Sequence, residues 1–250
     1  MPKHIAVAGK GGTGKTTLCA LIIKHLKEQG KTPILAVDAD ANANLNEALG
    51  MEVEGTIASI LDQTKAYGGV PQGMSKDMFI EYKLNAVLSE SEDVDLLVMG
   101  GPEGPGCYCY PNDLLKRYME RLSGNYPYLV MDNEAGMEHL SRRVAQDVDI
   151  LFVVSDATAR GVRSAARIHQ LVKGLKTKVG EIYLVISRAS GETVEALAGE
   201  IEKTGLELVG TIPLDEGVME FDLVGRPLVE LPDDSPAVRA VGDIMARANV

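Results

Sequence analysis

The chain has 250 residues, with 25 lysines and arginines against 36 aspartates and glutamates, a net charge of −11. One good hydrophobic core fits that length, and strand and helix signals run to the end without a polar linker, so one domain over residues 1–250 is expected. The acidic balance argues against non-specific nucleic-acid binding, and no apolar run reaches bilayer-spanning length, so no DNA or membrane partner is expected.

The first residues enter an apolar run, His4 to Ala8, directly rather than through a signal peptide, which places the expected protein in the cytoplasm. That run leads at once into Gly9-Lys10-Gly11-Gly12-Thr13-Gly14-Lys15-Thr16-Thr17, which spells G-x-x-x-x-G-K-[ST], the phosphate-cradling loop of nucleotide triphosphatases. Glycines let backbone N–H groups converge on a phosphate, and the helix that follows points its positive dipole end at the same anion. Lys15 then supplies a point charge to the β and γ phosphates of ATP or ADP, and the Thr16 hydroxyl can hold Mg²⁺. Lys10 stands on the far side of the loop. It reads either as a solvated charge or as a group that reaches the nucleotide of a facing subunit.

Lys15 to Gln29 is the clearest helix, with Leu18, Ile22 and Leu26 at four-residue spacing and Gly30 as its stop. Cys19 on this helix reads as a small core residue. Further apolar runs follow at Pro33 to Val37, Val94 to Met99, Tyr128 to Met131, Asp149 to Val154, Ile182 to Ile186 and Leu208 to Ile212. Continuous rather than alternating hydrophobicity suits strands covered on both faces, so the fold class is α/β, a doubly wound, mostly parallel sheet. Gly68 to Gly73 and Gly100 to Gly106 have the glycine and proline density of loops.

Ligands of such sheets gather beyond the carboxyl ends of the strands. Asp38 and Asp40 end the second run, and Asp132 ends the fourth. A carboxylate there can bind Mg²⁺ directly or through water, and a second can orient an attacking water. The same residues also suit helix caps or turns. Cys107 and Cys109 form the one close pair among three cysteines, a pattern that reads as metal-binding or redox-active rather than as a structural disulfide. If the segment is extended, both sulfurs face one spot, half of a tetrahedral or square-planar site that a homodimer would complete with Zn²⁺ or Ni²⁺. Loop thiols without metal remain an alternative. Arg160, Arg163 and Arg167 share one helical face, the pattern of a solvated surface.

The run from Lys10 to Thr16, with its second lysine, resembles the deviant phosphate loop of the MinD, ParA and nitrogenase iron protein superfamily of dimeric ATPases. Taken with the C-x-C pair and with Asp132-Asn-Glu-Ala-Gly-Met-Glu-His139, it resembles the CooC-type and AcsF-type nickel-insertion ATPases. What the resemblance implies is ATP-dependent dimerisation in which Lys10 crosses to the opposite nucleotide. Gly11, Gly12, Thr13, Gly14, Lys15, Thr16 and Thr17 would bind phosphate. Asp40 would position water, Asp38 would touch Mg²⁺ through water, and Asp132 would be the second metal-binding carboxylate. Cys107 and Cys109 would hold Ni²⁺ or Zn²⁺ between subunits for a client nickel enzyme, carbon monoxide dehydrogenase or acetyl-CoA synthase. Glu134 and His139 fall on family positions. Superfamily members carry an Asn-Arg pair that reads adenine where this chain has Ser187-Arg188, leaving Arg188, Pro213 and Asp215 as the candidates around the base. The alternative within the same superfamily is a positioning ATPase that binds membrane or DNA.

Overall fold

The computed structural model describes residues 2–65, 70–101, 109–134, 148–174 and 178–250. The seven apolar runs are its strands: β1 (Lys3–Gly9), β2 (Ile34–Ala39), β3 (Val94–Val98), β4 (Tyr128–Asn133), β5 (Val148–Asp156), β6 (Val179–Ser187) and β7 (Glu207–Ile212). They form one sheet in the order β3-β2-β4-β1-β5-β6-β7, and every neighbouring pair is parallel. The chain builds one wing from β2 and β3, returns through β4 beside β1, then builds the other wing from β5, β6 and β7. The reversal falls at β1, so a crevice opens at its carboxyl end, where the glycine-rich loop sits.

Among the described residues the α-helices are α1 (Lys15–Glu28), α2 (Leu45–Leu49), α3 (Ile57–Lys65), α4 (Lys76–Asn85), α5 (Cys109–Leu122), α6 (Ala159–Gly174), α7 (Gly191–Ala196), α8 (Ala198–Thr204), α9 (Glu216–Val224) and α10 (Pro236–Arg247). Strand side chains alternate between the faces. Ile5 and Val7 of β1 pack with α1, α2 and α10, while Ala6 and Ala8 pack with α3, α4, α5 and α6. That is why the runs read as continuously apolar: each residue meets a helix layer on one side or the other.

Helix α1 opens at Gly14 with no capping side chain and no acid in its first turn. Burial holds it instead. Leu18, Leu21, Ile22, Ile23 and Leu26 are all within 1% of full burial, each worth about 1.5–3 kcal/mol relative to exposure. It stops where Gly30 takes φ 66, as the sequence indicates.

Three differences from the sequence reading bear on the site. Asp38 and Asp132 lie within β2 and β4 rather than beyond them, because each is paired with a neighbouring strand on both sides; the two are direct partners in the β2–β4 register. The stretch after Asp40 folds into the short helix α2. Cys109 is the first residue of α5, so a helix rather than an extended strand sets its backbone. Cys107 and His139 lie outside the described residues.

Candidate active site

The phosphate loop closes on itself. Thr13 Oγ1 donates to the Lys10 carbonyl at 2.8 Å, and Gly12 and Gly14 take φ 73 and 86, conformations that favour glycine. Gly9 is required for another reason: a Cβ there would stand 2.5 Å from the Val154 carbonyl oxygen and 2.9 Å from Thr13 Oγ1. Lys15 is buried at the loop's end, whereas Lys10 and Gly11 are exposed and Thr16 and Thr17 half-buried.

Below the loop, Thr16 Oγ1 donates to Asp132 Oδ2 at 2.5 Å. The other oxygen, Asp132 Oδ1, is buried without a hydrogen-bond partner. An acceptor in that condition costs about 1–3 kcal/mol. Burial first, then the charge of Asp38, pushes the Asp132 carboxyl up to about 7, against the lowering effects of Thr16 and Lys15. A bare carboxylate oxygen beside a threonine hydroxyl is a hard oxygen donor set, the kind Mg²⁺ takes together with nucleotide phosphates. The residues present fit that ion.

Asp38 is fully buried but well satisfied. Its Oδ1 accepts the Asp40 N–H at 3.0 Å, and its Oδ2 accepts the N–H groups of Asn44 and Leu45, each at 3.0 Å. Burial raises its pKa, and those three backbone bonds oppose the shift. One carboxylate therefore folds the loop between β2 and α2 and fixes Asp40, which is half-buried and caps its own turn by accepting the Asn42 N–H at 2.9 Å.

A cavity of about 470 Å³ runs from Lys15 and Thr16 past Ser187, Arg188 and Pro213 to Met219 and Asp222 of α9, within the size range of small-molecule sites. The residues expected around the base, Arg188, Pro213 and Asp215, line this cavity, and their polar side chains are committed to the protein. Ser187 Oγ donates to the Thr13 carbonyl at 2.7 Å, and Arg188 Nη2 donates to the Gly12 carbonyl at 2.6 Å. Asp215 accepts from Gly217 N at 2.8 Å, Ser235 Oγ at 2.6 Å and Ala237 N at 3.0 Å. These bonds hold its pKa below the ordinary value although burial opposes them; its carboxylate ties the starts of α9 and α10 together. Met219, Asp222 and Glu47 line the cavity and were missed in the sequence, because single positions on short helices carry no periodic signal.

Among the described residues no group of three or more histidines, cysteines and acids is placed to hold a metal. Arg163 of the arginine face pairs with Glu200 at 3.2 Å. Among the same residues no helix is long and apolar enough to cross a membrane.

A lysine-bearing glycine loop at the reversal point of a parallel sheet, over two buried carboxylates, defines an ATP-binding and ATP-hydrolysing P-loop enzyme. The chain belongs to the CobQ/CobB/MinD/ParA nucleotide binding domain family, whose profile matches residues 4–228. It is 41% identical over 243 residues to an uncharacterized ATP-binding protein of Methanocaldococcus jannaschii, covering 96% of each chain. It is 29% identical over 248 residues to the carbon monoxide dehydrogenase accessory protein CooC of Rhodospirillum rubrum, covering 94% of this chain and 91% of that one. The MinD cell division protein of Aquifex aeolicus shares the fold, with TM-score 0.71 and 24% identity over 99% of this chain and 97% of the other. Members of the family act as dimers.

Proposed function

We propose that the chain is a homodimeric ATPase that uses hydrolysis to deliver nickel to the active-site cluster of carbon monoxide dehydrogenase or acetyl-CoA synthase. The observation that carries the ATPase half is the bare Asp132 Oδ1 beside the Thr16 hydroxyl and the buried Lys15. The delivery half is supported by the Cys107-x-Cys109 pair and by likeness along nearly the whole chain to the CooC accessory protein.

The residues divide the work as follows. The N–H groups from Gly11 to Thr17 and the Lys15 ammonium grip the phosphates. Thr16 and Asp132 hold Mg²⁺, which when bound neutralises charge on the β and γ phosphate oxygens. Asp38, with both oxygens already accepting N–H groups, acts on that ion through water and keeps Asp40 in place. Asp40 orients a water toward the γ phosphorus, whose bond to the bridging oxygen breaks to give ADP and phosphate. Lys10, exposed on the outer side of the loop, reaches the nucleotide of the second protomer. Pro213 and Asp215 shape the cavity around the base, and Arg188 lines the same cavity beside the phosphate loop. Cys107 and Cys109 hold Ni²⁺ or Zn²⁺ across the dimer. ATP must favour the closed dimer more than ADP does, since a ligand shifts an equilibrium only by its differential affinity.

Metal titration with and without a non-hydrolysable ATP analogue tests this reading. One metal per two chains is expected in the ATP-analogue state, and it disappears in Cys107→Ala and Cys109→Ala. Unchanged stoichiometry in those variants removes the delivery half.

A positioning ATPase is the second reading, supported by 27% identity over 262 residues to a septum site-determining MinD of Neisseria meningitidis. Helix α10 carries two basic residues, Arg239 and Arg247, too few for that helix itself to attach electrostatically to a membrane. Co-sedimentation of the ATP-loaded protein with anionic vesicles or DNA decides between the two.

A further inference from the structure

Two consecutive residues at the end of β6 reach two consecutive carbonyls of the phosphate loop. Ser187, buried at 5% exposure, donates from Oγ to the Thr13 carbonyl at 2.7 Å and lies 3.3 Å from the Ser155 carbonyl. Arg188 donates from Nη2 to the Gly12 carbonyl at 2.6 Å. Its backbone sits at φ 52, a left-handed conformation that a non-glycine residue holds only where its surroundings enforce it. The carbonyls of Lys10 and Gly14 are also taken, by Thr13 Oγ1 at 2.8 Å and Leu18 N at 3.0 Å. Four loop carbonyls thus have protein donors, while the N-terminus of α1 has no side-chain cap.

In a planar trans peptide the carbonyl of one residue and the N–H of the next point in opposite directions. Holding the Thr13 oxygen toward β6 therefore turns the N–H of Gly14, a residue that lines the cavity, away from β6. The single proton of the Ser187 hydroxyl is engaged in that bond and is not available to a base edge.

We propose that Ser187 and Arg188 are positioning residues for phosphate: Ser187 aims the Gly14 N–H at the anion by fixing the Thr13 carbonyl, and Arg188 holds the loop's shape by fixing the Gly12 carbonyl, whose peptide N–H, that of Thr13, donates within the loop to the Lys10 carbonyl at 3.4 Å. This rests on the nucleotide reading of the cleft and deepens it. Its consequence is that the pair governs phosphate affinity and leaves the choice of base alone, the reverse of what position 187–188 implies by family resemblance.

The test is calorimetric titration with ATP, GTP and inorganic tripolyphosphate, alongside thermal melting. Ser187→Ala is expected to weaken ATP, GTP and tripolyphosphate by the same factor, about tenfold for one lost hydrogen bond. Ser187→Thr, which keeps the hydroxyl, restores all three. Arg188→Ala, altering an exposed side chain, shifts all three in the same direction and serves if Ser187→Ala does not fold. The proposal is overturned if tripolyphosphate binding is unchanged in both alanine variants, or if the ATP-to-GTP ratio moves while tripolyphosphate does not. A wild-type chain that binds neither ATP nor tripolyphosphate would sink the nucleotide reading itself, a result distinct from either.

Discussion

The two ends of the cavity are built on opposite plans. At the phosphate end, Lys15, Asp38 and Asp132 are buried, and two of the three charges lie side by side in the sheet register. At the far end the wall is α9 and the turn before it, where Met219 is 56% and Leu214 61% exposed. One end concentrates charge in low dielectric, where each group matters most; the other offers open apolar surface that any planar ring can use. Binding energy is thus concentrated on the triphosphate.

The largest effect that would sharpen this contrast concerns Asp132. A carboxyl raised from 3.8 to about 7 in the folded chain lets the native state hold a proton that the unfolded state releases. The contribution of this one group to the stability of the nucleotide-free protein should therefore be greatest below pH 4 and be lost as pH climbs toward 7, by at most about 4 kcal/mol. Asp132→Asn removes the slope, so its melting temperature should exceed the wild type's at pH 8 and converge with it at pH 4. Equal melting curves at both pH values would mean that the burial of this group is not felt.

Next comes Lys15→Ala, expected to lower the hydrolysis rate about 10²- to 10³-fold, as losing one preorganised cation or donor from a charged transition state does. Single-turnover hydrolysis measures it. Asp38→Ala leaves three N–H groups without their acceptor and should cost about 2 kcal/mol, read as faster hydrogen exchange at Asn44 and Leu45 and an earlier denaturant midpoint. The smallest effect belongs to the open end. Met219→Ala should change ATP affinity less than about threefold and tripolyphosphate affinity not at all, since it trims partly exposed surface. A tenfold loss of ATP binding in that variant would break the contrast between the two ends.

The sheet was legible in the sequence because strands covered on both faces leave unbroken apolar runs, and all seven runs became strands. Helix α1 was legible for a related reason, its apolar positions recurring every turn before Gly30. The glycine loop announced phosphate binding because few other uses require that spacing. What escaped was the commitment of individual hydrogen bonds. Nothing in the letters shows that Asp38 folds the loop beyond it, that Asp215 joins two helix starts, or that Ser187 faces the phosphate loop. Each partner of these groups lies on another element or across a turn, and only the fold brings them together. Helix α2 escaped as well, since five residues are too few to display a period. For Cys107 the question stands where the sequence left it, and for Cys109 it moves to the start of a helix.

The pairing of Asp38 with Asp132 has one more implication. Near neutrality the empty enzyme keeps hydrogen on about half of its Asp132 carboxyls, raised to about 7, and a divalent ion arriving with the nucleotide would displace it. Loading would then acidify a weakly buffered solution, and the heat recorded for the event would depend on which buffer absorbs what is released.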